Sequence, residues 1–430
     1  MRTLCCGVGL LLLALGAACS TDPVPTDPVL DPPPAGSEVR TTVLTPTPLH
    51  LTVEALPDPY HTGSASRSAR VGGIPADPVL QVPAGFRVNV YAEGLSGPRQ
   101  MVNTPEGDVL VAESGSNRIR RLRDMNADGQ ADEITLFGDE TNGLSRPFGM
   151  AFAGVHLYIA NTGAVVRFSY STGMPRLTGT GTTITTLPTG GHWTRDLRLS
   201  PDGQQFYISI GSASNVNPEA PPRAAVEVMN LDGSGRATFA SGLRNPVGLD
   251  VHPTTGEPYT VVNERDGLGD DLVPDYLTRL QKGAFFGWPY AWLTPDRLDP
   301  RRMNGITSER PDLAALTTTP DVLFQAHSAP LGLRFYTGTQ FPQPWRNGAF
   351  VALHGSWNRN TGTGYKIVFV PFDASGRPTG AYEDFLTGFL TDPTGPDTWG
   401  RPVGLLVLPD GSLLVSDDGN GRIYRVSYRP

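Results

Sequence analysis

Residues 401–419 read RPVGLLVLPDGSLLVSDDG. A proline-containing entry leads into an alternating strand, a Pro-Asp-Gly turn reverses the chain, and a second alternating strand runs into a polar loop, the pattern of an antiparallel hairpin. Five more copies of the unit occur upstream: GPRQMVNTPEGDVLVAES (97–114), RPFGMAFAGVHLYIANT (146–162), TRDLRLSPDGQQFYISIGS (194–212), NPVGLDVHPTTGEPYTVVNE (245–264) and APLGLRFYTGTQFPQPWRNGAFVALHGS (329–356). Outer strands follow most of them, among them NRIRRLRD, AVVRFSY, AAVEVMNLDG, YKIVFVPFD and RIYRVSY. Units about 50 residues apart, each an antiparallel sheet, predict an all-β fold: a six-bladed β-propeller of four-stranded antiparallel blades. GFRVNVYAEGL (85–95) is placed to give the last blade an outer strand and close the ring. A β-sandwich pair or a solenoid is the competing architecture.

The 430 residues divide into four parts. Residues 1–19 carry one arginine, an apolar run too short to span a bilayer and small residues before Cys19, a secretion signal whose end, LGAAC, is similar to a lipoprotein cleavage site. Residues 20–37 form a proline-rich tether. Residues 38–80 are an extension with a possible strand pair, and residues 81–430 are the propeller. All 3 Cys lie at or before residue 19, which removes disulfides and thiol catalysis from the mature fold. The expected location is the cell envelope, with membrane contact only through a lipid anchor. A formal charge of −8 argues against nucleic acid.

In four of the units, polar residues stand directly before the first strand: His192, Arg244 with Asn245, His327 and Arg401. In a propeller these positions converge on one mouth of the central axis. The stretch 264–326 must form long loops, and loops of that length at one mouth of a propeller are the usual place for function.

Four strings in blade order, GGHWTRDLRLSPDG (190–203), GLRNPVGL (242–249), ERDGLGDDLVPDYLT (264–278) and ALHGSWNRNTGTGYKIVFV (352–370), carry a resemblance. From about residue 80 onward the chain resembles the soluble pyrroloquinoline-quinone-dependent glucose/sorbosone dehydrogenases, most closely the sorbosone branch. The resemblance implies a quinone cofactor, Ca²⁺, a small sugar or aldehyde substrate and an electron acceptor of unstated identity. It implies His192 as general base and Arg244 and Asn245 as cofactor ligands, with Arg359 and Arg401 as further cations for the three cofactor carboxylates. His327 and His354 are rival bases. Trp193, Trp357 and Trp399 are candidate stacking faces, with core packing as the alternative for each. Lys366 can point either way from its strand.

The chain departs from the glucose enzymes in three places. Gly191 replaces an Asp before the catalytic His. Thr141 and Asn142 fall where a Gln is found, and Asn358 or Arg359 where a cofactor lysine is found.

For calcium, the resemblance points to the peptide carbonyls of Asp266 and Gly267. Independently, DMNADGQADE (124–133) places Asp124, Asn126, Asp128 and Asp132 at calcium-loop spacing, although its twelfth position, Thr135, lacks the bidentate Glu. A solvated turn is the alternative there. Two other functions stay open: a calcium-dependent lactonase, which needs metal held by side chains at the axis, and a tethered propeller that binds glycan or protein.

Overall fold

The computed structural model describes residues 37–430. Cys19, the signal segment and nearly all of the tether lie outside the described residues.

Five four-stranded antiparallel sheets and one six-stranded sheet succeed each other along the chain. Their first strands are Pro98–Asn103, Met150–Ala153, Leu197–Leu199, Asn245–Val251, Pro330–Phe335 and Pro402–Val407. These six strands contact one another in cyclic order, the last returning to the first. The predicted closure is present, since Phe86–Ala92 pairs antiparallel with Arg422–Tyr428. The two ends of the described chain thus share one sheet.

Residues 38–80 contribute strands to the closing sheet. Glu38–Val43 pairs antiparallel with Phe86–Ala92 and parallel with Val79–Val82, so the extension widens the closing sheet to six strands. The cause is apolar: Val39, Leu80 and Val82 are buried against Phe86, Val88 and Phe385, and the extra strands cover an edge that would otherwise be open. Within the stretch 264–326, Tyr276–Arg279 and the short strand Val322–Leu323 complete the fourth sheet. A hydrophobic run too brief to show alternation hid them.

The repeated PxG entries have a common physical role. A Cβ on Gly332 would overlap the carbonyl oxygen of Val403, and one on Gly404 the carbonyl of Arg99, so each glycine lets one first strand lie against the next. Gly149 and Gly248 stand in the same relation to their neighbours. In the first and third sheets the equivalent places hold Gln100 and Asp196, both buried, and Asp196 Oδ2 accepts from Leu249 N at 2.9 Å. Nearer the mouth, Phe148, Val247, Leu331 and Val403 form an apolar cluster with Trp193 packed on it.

Gly404→Ala is expected to destabilise the protein by at least ~1–3 kcal/mol through backbone displacement at the ring joint. Gly115→Ala, where a methyl meets nothing within 4 Å, is the control. Equal urea midpoints for the two variants would remove the close-approach argument.

Candidate active site at the mouth of the ring

His192, Arg244, Asn245, Asp266, His327 and Arg401 line one cavity of about 280 Å³, together with His354, Trp357 and others. The convergence expected of residues before the first strands is therefore observed. A larger groove, of about 420 Å³, lies between residues 218–224 and 285–290 and contains none of them.

His192 is positioned by main chain. Gly191 has φ 61°, and a Cβ there would overlap Ala213 Cα, which accounts for glycine where the resemblance leads one to expect Asp. The strand end at Ser212 takes the His192 amide at 3.0 Å and its Nδ1 at 2.8 Å, both on one carbonyl oxygen. A carbonyl only accepts, so Nδ1 carries the proton and Nε2 is the basic nitrogen. Arg195, fully buried, donates to the carbonyls of Pro188, His192 and Thr194 and so braces the loop. Burial and then the Arg244 cation push the His192 pKa down to about 4, which keeps the ring neutral at ordinary pH.

Arg244 donates from Nη1 to the Glu264 carbonyl and from Nη2 to Asp266 Oδ2, each at 2.8 Å. Its Nε and the Asn245 Oδ1 are buried without a hydrogen-bond partner among the described residues. The other two histidines are differently engaged. His327 donates from Nε2 to the Gly269 carbonyl at 3.0 Å and turns Nδ1 to Asp266 at 3.5 Å, and the carboxylates around it raise its pKa despite burial. His354 is buried, with Nε2 on Asp418 at 2.9 Å, and burial lowers its pKa to about 4. Asp275, fully enclosed, accepts from Glu264 N and Ala329 N, and desolvation raises its pKa to about 7.

The remaining predicted residues divide. Arg401 lines the cavity, with Nε on the His354 carbonyl at 3.3 Å and no ion pair among the described residues. Arg359 does not line it, since its guanidinium is held by the Asp270 carbonyl and Asp271. Trp357 is 46% exposed at the rim, whereas Trp399 is buried against Phe389 and Trp193 sits on Phe148. Lys366 pairs with Asp384 and does not line the cavity. Thr141 and Asn142 belong to a capped turn on Asp139. Asn358 links Gly267 N to the Ala65 carbonyl.

At the expected calcium loop, the Asp266 carbonyl already accepts from Arg301 Nη1 at 2.7 Å and Asn215 Nδ2 at 3.0 Å. The Gly267 carbonyl accepts no hydrogen bond among the described residues. In the 124–133 loop, Asp124, Asp128 and Asp132 accept from the loop's own amides, and Asn126 donates to Asp128 and Asp132. Among the described residues no group of three or more His, Cys, Asp or Glu side chains is arranged to hold a metal.

Sequence reasoning missed Asn215, Arg301 and the segment 60–67. Thr62 Oγ1 accepts from Asp270 N, Ser64 Oγ from Gly269 N and the Trp357 carbonyl from Arg67 N. Only the small polar run HTGSAS (61–66) hinted at a segment lying on other loops.

The sequence pattern of the TrAA12-like family matches residues 80–274 and 307–429. The chain belongs to that family. Relatives include a pyrroloquinoline quinone-dependent sugar dehydrogenase of Hypocrea jecorina, 27% identical across 79% of this chain and 87% of the relative. A pyrroloquinoline quinone-dependent pyranose dehydrogenase of Coprinopsis cinerea is 26% identical across 80% of this chain, which spans 54% of that protein. The fold is similar to a calcium structure of a Trichoderma reesei family AA12 enzyme, with TM-score 0.71 and 24% identity over 84% of this chain and 98% of the other. It is also similar to the holo pyrroloquinoline quinone domain of the Coprinopsis cinerea pyranose dehydrogenase, with TM-score 0.69 and 23% identity over 84% and 100%.

Gly191→Ala combines a left-handed backbone with overlap on Ala213. It is expected to cost ~1–3 kcal/mol and to displace His192 from Ser212. The check is the thermal midpoint together with the His192 imidazole nitrogen shifts by NMR, and unchanged shifts would show that the loop tolerates a side chain.

Proposed function

We propose that this protein is a quinoprotein sugar dehydrogenase built on a six-bladed β-propeller, oxidising an aldose or a sorbosone-like aldehyde. The observation that carries the proposal is a neutral imidazole with its basic Nε2 available, in a cavity that Arg244 and Asn245 also line. The names of the relatives support the same reading.

The cavity residues suit a planar, polycarboxylate cofactor. Arg244 Nε and Asn245 Oδ1 are buried and unpartnered, Arg401 has no ion pair among the described residues, and Trp357 offers an exposed ring at the rim. Such groups are costly unless a ligand completes them. Pyrroloquinoline quinone, when bound, supplies the acceptor for the hydride that leaves the sugar carbon. For Ca²⁺, the Gly267 carbonyl fits a hard cation, while the Asp266 carbonyl would have to exchange two N–H donors for it.

His192 does the proton work. Its Nε2 accepts the hydroxyl proton as the hydride leaves the same carbon, and the imidazolium keeps its Nδ1–H bond to the Ser212 carbonyl. Arg244, held by Asp266, provides fixed positive charge beside the reacting groups. His327 is unsuited to the base role because its Nε2 proton is committed to Gly269 and its Nδ1 faces a carboxylate. A lactonase requires a side-chain metal set at the axis, and the described residues assemble none. Export to the cell envelope with a lipid anchor at Cys19 is part of the proposal, supported by the amino-terminal pattern alone.

His192→Ala is expected to keep cofactor binding and to lower turnover by roughly 10²–10⁴, with His192→Gln no better because an amide cannot take the proton. Near-normal turnover in either variant would remove the role. The base is active when neutral, and its pKa is depressed to about 4. The kcat/KM profile should therefore hold as pH falls from 7 to 5 and collapse near pH 4; an acid limb at the ordinary histidine value of about 6.5 would contradict this. Arg244→Ala should weaken pyrroloquinoline quinone binding by ~2–4 kcal/mol, read by titration of the cofactor-free protein. An unchanged titration would exclude Arg244 as a ligand.

A further inference from the structure

We infer that the part of the mouth beside the His192 cavity binds a carboxylate carried by the substrate, so that the sugar oxidised is an acidic one, a uronic acid or a chain ending in one. The inference rests on the dehydrogenase reading above and names the substrate class of that site. Trp193 is the next residue after His192, and its ring stands edge-on to Phe148 over the apolar plug of the axis. The Arg146 guanidinium lies 4.1 Å from the indole centroid, and that of Arg99 lies 5.3 Å from it. The floor of the mouth thus leads from the base, across an indole, to two cations.

The charges there do not balance. Asp418 is bound by Arg99 through one carboxylate oxygen and by His354 through the other. Arg146 is exposed and makes neither an ion pair nor a side-chain hydrogen bond among the described residues. In a chain with 34 basic and 42 acidic residues, an unpaired arginine beside the active cavity runs against the overall excess of negative charge. A guanidinium resting on an aromatic face keeps its N–H edge free for a carboxylate. The backbone points the same way. Arg146 has φ 49°, a left-handed conformation rare for such a residue, held by Asn117 Oδ1 on its amide at 2.8 Å. Conformations of this kind cluster at ligand sites. Arg146 and Arg99 lie outside the lining of the cavity assigned to the cofactor.

The test compares galacturonate with galactose, and glucuronate with glucose, by calorimetry and tryptophan fluorescence on the purified protein with and without pyrroloquinoline quinone. The expected result is at least tenfold tighter binding of the acidic member of each pair, shrinking as salt rises. Arg146→Gln and Arg146→Asn, the second suited to a left-handed backbone, should abolish the preference while the thermal midpoint and cofactor titration stay unchanged. Equal binding of acidic and neutral sugars, no binding of either, or an intact preference in both variants would overturn the inference. So would a weakened cofactor titration, which would assign Arg146 to the cofactor. Failure of the unsubstituted protein to take up the cofactor would count against the dehydrogenase reading alone, because sugar binding is read separately.

Discussion

Backbone-to-backbone contact between neighbouring first strands is the constraint on which the molecule depends. At Gly332 and Gly404 there is no room for a methyl group, so the first strands at those joints lie closer than side chains would permit. That approach draws the residues just before each strand onto a narrow mouth. His192, Arg244, Asn245, His327 and Arg401 come from four different sheets and would not meet without it. Where glycine is absent, Gln100 and Asp196 fill the axis instead, and the Asp196 carboxylate ties the third sheet to the fourth through Leu249 N. Ring closure and site assembly are consequences of one packing rule.

Within the mouth, three histidines have three electrostatic fates, and each fate follows from its neighbours. His192 meets a carbonyl and a guanidinium and is neutral. His327 is surrounded by the carboxylates of Asp266 and Asp275 and favours its charged form. His354 has an acidic partner in Asp418, yet burial and the nearby Arg401 and Arg99 cations outweigh it. Burial alone would push all three in one direction. What distinguishes His192 from the other two is the identity of the atom against Nδ1 or Nε2, a detail of loop conformation rather than of residue type.

The ring was legible in the sequence because its signals are local. Alternation, Pro-Asp-Gly turns and the recurring glycine are all carried inside single units, and Arg422–Tyr428 with Phe86–Ala92 closes them as expected. The mouth was legible to the extent that it consists of residues fixed relative to a strand start. Residues on long loops were not. Arg359 stands four residues from Gly355 on an irregular loop, and its side chain goes to Asp270 and Asp271 instead of the cavity. The three tryptophans look alike in sequence, yet one is at the rim, one is on the axis and one is in the core. Their sorting depends on contacts made by other sheets, which no local pattern encodes.

The extension shows why such contacts matter. Glu38–Val43 and Val79–Val82 anchor it in the closing sheet, and between those anchors residues 60–67 reach the loops of the fourth and fifth sheets. Tyr60 N bonds Leu268, Thr62 and Ser64 take the amides of Asp270 and Gly269, and Ala65 and Arg67 bond Asn358 and Trp357. The cavity wall that holds Asp266 and the rim that holds Trp357 are thereby tied to a segment whose own footing is the strand pairing that closes the ring. A disturbance of the closing sheet would reach the site along this path, through loop residues such as Trp357. Long loops are ordinarily among the less stable parts of a domain, and here residues 60–67 supply hydrogen bonds that hold two of them in register.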